Sequence, residues 1–201
     1  MMNYTAAHKT ALEKFAQASL EEMALNSGYP LKENRFQVEF LGQAFEVGYP
    51  SGKFEPVPSL DGELPIFAQI LILHYLTQTG KVEGQGKLIS YKEIPGGSIY
   101  IGPFTNRAIR PLVQLFGDDP QRLLTVAQTL GGEAVKHGDA AVMLRVFPRI
   151  PVTLVLWAGD EEFPATGNIL FDASAAQILP AEDYAVLASF MVATLKRLKT
   201  R

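Results

Sequence analysis

Arg145 stands inside an apolar run, Ala141-Val142-Met143-Leu144-Arg145-Val146-Phe147. A guanidinium in such a place must pair with a structural carboxylate or reach an anionic ligand. Asp172 and Glu93 are the carboxylates considered for the pair. If the apolar runs flanking Pro148-Arg149-Ile150-Pro151 form a hairpin symmetric about Arg149 and Ile150, Arg145 faces Leu154 and shares its face with Met143, Phe147, Val152 and Leu156. It is then a lone cation in an oily field. His137-Gly138-Asp139 offers two donors for a hard or borderline metal. Two ligands do not complete a site, however, and a polar turn before a central strand explains the same residues. Trp157, Tyr91 and Tyr100 could wall an apolar pocket with polar tips, or simply fill the core. Asp160-Glu161-Glu162 crowds three carboxylates that would raise one another's pKa if they converged on a pocket. At an exposed hairpin end they are merely solvated, and they are too close together to flank a bond as acid and base.

Other chemistries fail on spacing. Gly80-Lys81-Val82-Glu83-Gly84-Gln85-Gly86-Lys87-Leu88 looks like a phosphate loop, but it has five residues between Gly80 and Gly86 where four are needed, and Leu88 in place of the magnesium-binding Ser or Thr. A strand is also expected where that loop needs a helix. His8, His74 and His137 show no zinc-helix spacing, and no Gly-x-Ser-x-Gly elbow presents a serine. His74 falls on an apolar helix and reads as a core histidine. With no cysteine in 201 residues, disulfides, thiolate zinc sites, cysteine-ligated iron–sulfur clusters and a cysteine nucleophile are excluded from this chain. A formal charge of −3 gives no bulk attraction to nucleic acid or to an anionic membrane. No secretory pattern opens the sequence and no run of about 18 apolar residues occurs, so the expectation is a soluble, cytoplasmic protein.

The elements that must hold these residues follow from periodicity. Leu12, Phe15, Ala16, Leu20, Met23 and Ala24 predict one amphipathic helix from Thr5 to about Leu25, ended by Ser27-Gly28-Tyr29-Pro30. Arg35–Phe40 and Ala44–Tyr49 alternate as a hairpin with one wet face. A punctuated loop spans Pro50–Pro65, and a helix apolar on every side starts at Pro65 and closes at Thr79-Gly80. Short strands are expected over Lys87–Tyr91 and Ser98–Ile101. Helices follow over Arg107–Phe116 and from Asp119 to Gly131-Gly132. The strongest β signal covers residues 140–158, two central strands apolar on both faces. Asn168–Asp172 adds a short strand. A last helix opens at Pro180, with Tyr184, Leu187, Met191, Leu195 and Leu198 as its stripe. The expectation is a single α+β domain over residues 1–201, a mostly antiparallel sheet with about five helices.

Several of these segments carry a family resemblance. The run from Phe147 to Pro164, then Asn168-Ile169-Leu170-Phe171-Asp172-Ala173-Ser174-Ala175 and Leu179-Pro180-Ala181-Glu182-Asp183, resembles the uncharacterised bacterial and archaeal family called domain of unknown function 3786. Gly138-Asp139 and the helix holding Ile70 to Tyr75 share the likeness. The resemblance implies no reaction, so it transfers no catalytic residue. It does imply an association, in anaerobes, with iron–sulfur domains and corrinoid-dependent methyl transfer. A chain without cysteine would meet such chemistry only through a separate iron–sulfur or corrinoid protein.

The leading expectation is a non-catalytic accessory or binding protein, its partner a protein or an organic cofactor of unknown identity. Arg145, Trp157, His137, Glu93 and Asp172 are the candidate ligand-binding residues, with no metal expected. Two alternatives stay open: an enzyme using Arg145 with Glu93, Asp160 or Asp172 in a cleft, and a structural homo-oligomer.

Overall fold

The computed structural model of the chain describes residues 4–56 and 64–200, so residues 57–63 of the loop expected over Pro50–Pro65 lie outside the described residues. The described residues group into two units, one running to Glu83 with Gln177–Leu179 and the other Gly84–Ala176 with Pro180–Arg201. The fold class is α+β, with two antiparallel sheets.

In the first unit the N-terminal amphipathic stretch folds as two helices, α1 (Tyr4–Gln17) and α2 (Leu20–Ser27), where one was expected. Ser19 makes the break. In extended conformation its side chain accepts the Glu22 amide at 3.3 Å and caps α2, a role that competes with continuing the helix. The Tyr49 hydroxyl donates to the Ala18 carbonyl at 3.1 Å, taking up one of the acceptors the break frees. A four-stranded meander follows in spatial order: β1 (Leu31–Lys32), β2 (Arg35–Phe40), β3 (Gln43–Gly48) and β4 (Lys53–Pro56). Phe36 pairs with Val47 and Val38 with Phe45, all buried, while Arg35, Glu46 and Glu55 form an ion network on the wet face. Helix α3 (Ile66–Gln78) packs on α1 and α2 and is buried from Ile70 to Leu73 without a gap, as its all-round apolar sequence requires. The Tyr75 hydroxyl donates to the Ser27 carbonyl at 2.6 Å and pins the end of α2.

The second unit holds a five-stranded sheet in the order β5 (Leu88–Ser90), β9 (Thr166–Asp172), β8 (Ile150–Trp157), β7 (Ala140–Phe147), β6 (Glu133–Ala134). One face carries Val142, Leu144, Val152, Leu154, Leu156, Ile169 and Phe171, each 1% exposed or less. Helices α5 (Arg110–Phe116), α6 (Pro120–Gln128) and α7 (Ala181–Lys199) cluster on that side, α6 against β7 and α5 against β9. Asp119 caps α6 through the Arg122 amide and Pro120 occupies its first turn, as expected.

Residues Ser98–Ile101, expected as a strand, are helical and belong to α4 (Gly97–Phe104). Local β propensity is overridden by what the helix meets. Phe104 stacks on Tyr91 at 3.9 Å between centroids, the Tyr100 hydroxyl donates to Glu182, and Gly97 runs so close to the Tyr91 carbonyl that a Cβ there would sit 1.9 Å from its oxygen. Helix α4 continues through a π-helical turn, Thr105–Ile109, into α5. Pro111 explains the widened turn: it has no N–H for the Arg107 carbonyl, and its ring clashes with that carbonyl in regular α geometry.

Candidate functional site

The loop between β6 and β7 makes a cleft of about 410 Å³ against α6, lined by Leu124 and by residues 134–141. Its shape is set by how the β7–β8 hairpin closes. The Asp139 amide donates to the Leu156 carbonyl at 2.9 Å, and the Asp139 carboxylate accepts the Ala158 amide at 2.7 Å, extending the pairing by one residue past Ala140. Gly138 can then pass only with φ +57°, where a Cβ would lie 2.6 Å from the Leu156 oxygen. On the other side Gln121 of α6 donates to the Asp139 carbonyl at 3.2 Å. Lys136 and His137 are thereby held on an exposed arch between two fixed points.

His137 and Trp157 come together, their rings 6.1 Å apart and edge to face. Trp157 ends β8 and is 38% exposed, so it is neither core nor fully solvated. His137-Gly138-Asp139 is a polar turn, and no group of three metal-ligating side chains occurs among the described residues.

Arg145 is not buried, which corrects the expectation of a lone cation among apolar residues. The β7–β8 register puts it opposite Pro151 instead of Leu154: the hairpin turns at Pro148-Arg149, with Phe147 paired to Ile150, which moves the partner by two residues, and a bulge between Arg145 and Phe147 moves it by a third. That slip turns Arg145 to the face away from the helices, beside Met143 and Thr153, where it is exposed. Six residues of β8 separate its row from Trp157, roughly 20 Å, so it takes no part in the cleft. No hydrogen bond or ion pair to Arg145 is found among the described residues. Arg145→Met is therefore expected to change the unfolding free energy by no more than about 0.5 kcal/mol, read by urea denaturation; a loss of several kcal/mol would reveal a buried partner.

Asp172, Glu93 and Asp160 each accept backbone amides. Asp172 accepts the amides of Gln85, Gly86 and Ser174 at 2.7–2.9 Å. Burial alone would push its pKa up, but the hydrogen bonds from Ser174, Gln85 and Gly86 win and hold it below the usual aspartate range. Glu93 closes a capping box with Ser90, accepting its amide and its hydroxyl, and is lowered by those bonds. Asp160 accepts the Phe163 and Glu162 amides in the turn after β8, which lower it likewise. The two partners considered for Arg145 are thus committed to turns and caps. Tyr91, fully enclosed, donates to the Ala181 carbonyl, and burial followed by the Glu182 charge pushes its pKa up to about 12, so it stays a neutral core phenol.

Lys136 was not singled out by the sequence, although it lies beside His137 and Gly138. A lysine in a polar turn is the commonest of surface features; only the cleft behind it gives it meaning.

A family model described as Domain of unknown function (DUF3786) matches residues 19–194. No curated protein and no solved structure matches the chain.

Proposed function

The chain belongs to the DUF3786 family, and we propose that it works as a non-catalytic binding protein whose ligand surface is the cleft at residues 134–141. The observation that carries this reading is a division of labour. Asp160, Asp172 and Glu93 are engaged by backbone amides, whereas Lys136 and His137, on the cleft wall, have no hydrogen-bonded or ionic partner among the described residues. The three carboxylates weighed for chemistry are spent on turns and caps, and an unpaired lysine and imidazole on the wall of a cleft suit recognition of a ligand. The same reading places the protein in the bacterial or archaeal cytoplasm, with any iron–sulfur or corrinoid chemistry on a separate partner protein, since the chain has no cysteine to ligate a cluster. Among the described residues no helix is long and apolar enough to cross a membrane.

Trp157 is the single tryptophan of the chain and touches His137, so intrinsic fluorescence reports on this one place. A titration with a panel of metabolites and cofactors is expected to give a saturable change in its emission with no product formed. Turnover of a panel member, with emission from Trp157 unaltered throughout, would overturn the reading.

A further inference from the structure

The arch carries more donors than its two side chains. Val135 and Asp139 give their amides to the Ala141 and Leu156 carbonyls. Between them, no hydrogen bond from the amides of Lys136, His137 or Gly138 to a protein group is found among the described residues. Three consecutive N–H groups at a left-handed glycine, with an ammonium and an imidazole on the same arch, leave a run of donors that the protein itself does not use. Successive amides around a residue in the left-handed conformation form concavities that hold anions, because several partial positive charges converge where a single oxyanion can accept from all of them. The acidic residue on the cleft wall, Asp139, is turned to the Ala158 amide, so one of its carboxylate oxygens is already engaged by the backbone.

We propose that the cleft at Lys136–Gly138 binds an oxyanion, the phosphate or carboxylate group of a small organic ligand. This rests on the reading of the cleft as a binding surface and adds the chemical class of what it takes. Lys136 supplies the point charge, His137 a ring in contact with Trp157, and the arch amides further donors that no protein group among the described residues takes up. The volume of about 410 Å³ accommodates a ligand of small-metabolite size.

The test uses the full chain, labelled with nitrogen-15 and titrated at constant ionic strength with inorganic phosphate in one arm and acetate in another. The amide resonances of Lys136, His137 and Gly138 are expected to shift together and to saturate. Lys136→Met, an exposed substitution expected to leave the melting temperature in place, is expected to raise the apparent Kd at least tenfold, and His137→Gln to raise it less. Saturation by phosphate alone assigns a phosphorylated ligand, and saturation by acetate alone assigns a carboxylate. Shifts that are absent from the arch, that fail to saturate, or that persist unchanged in Lys136→Met overturn the proposal. If both anions fail while the Trp157 titration still finds a neutral ligand, the oxyanion assignment falls and the binding reading stands. If turnover is found with Trp157 silent, the binding reading itself falls.

Discussion

Replacing Phe171 by alanine is expected to lower the unfolding free energy of the unit that carries the cleft by about 3–5 kcal/mol. Phe171 is fully buried on β9, between Ile89 of β5 and Val152 of β8. Its ring lies 5.1 Å from Tyr184 and 6.4 Å from Phe104, and Phe104 in turn stacks on Tyr91. The loss has two parts, the transfer of an aromatic ring's worth of surface and the cavity left behind. The second part is large only if the walls cannot collapse. Here they are held: the Tyr184 hydroxyl donates to the Ala175 carbonyl at 2.8 Å and the Tyr91 hydroxyl to the Ala181 carbonyl at 2.9 Å, so neither ring can swing into the gap without giving up a buried hydrogen bond. Against a total stability of about 5–15 kcal/mol for a domain, such a loss shifts a urea midpoint far enough to read directly. Phe171→Leu, which keeps most of the volume, is expected to cost less than about 1.5 kcal/mol. A loss under about 1 kcal/mol for Phe171→Ala would show that the aromatic cluster relaxes freely.

The parts of this fold that sequence periodicity reveals are those where one residue's environment depends on its near neighbours. The capped α6, the all-apolar α3 and the β7–β8 pair buried on its helix-covered face are of that kind, and each forms where expected. The failures come where a single distant contact decides. A bulge of one residue beside Arg145 reverses which face the guanidinium takes, and nothing in the alternation of Val142 to Phe147 marks where a bulge will fall. Ser98-Ile99-Tyr100-Ile101 has the composition of a strand and becomes helix because Phe104, one turn on, stacks on Tyr91 and Gly97 sits beneath a carbonyl. The candidate site divides the same way. His137 and Trp157 are visible as chemically capable residues, and the structure does bring them together. Lys136 and the amides of the arch are not visible, because their availability follows from hydrogen bonds that Val135 and Asp139 make with Ala141 and Leu156.

Asp172→Asn is expected to destabilise the same unit by about 2–4 kcal/mol at neutral pH, and the deficit is expected to close in acid. The carboxylate is 6% exposed and accepts three amides, Gln85 and Ser174 on one oxygen and Gly86 on the other. It ties the glycine-rich segment before β5 to the end of β9, beside the hydrogen bond from the Ala173 amide to the Lys87 carbonyl. Asparagine is nearly the same shape but can offer only one acceptor oxygen. Its NH2 must face a backbone N–H, so at least one donor loses its partner and the charge-assisted strength of the others is lost too, at about 1.5–3 kcal/mol for each such bond. The pH dependence follows from the sign of the shift. Because the folded-state pKa lies below that of the unfolded chain, about 3.9, the carboxylate contributes in full above that value, and the contribution drains away as pH falls through the lower folded-state pKa. Asparagine has no such dependence, so urea midpoints of the two proteins are expected to run parallel from neutrality to about pH 5 and to converge below pH 4. A gap that stays constant to pH 2 would place the deficit in packing, and would remove the clamp on the glycine-rich segment as its cause.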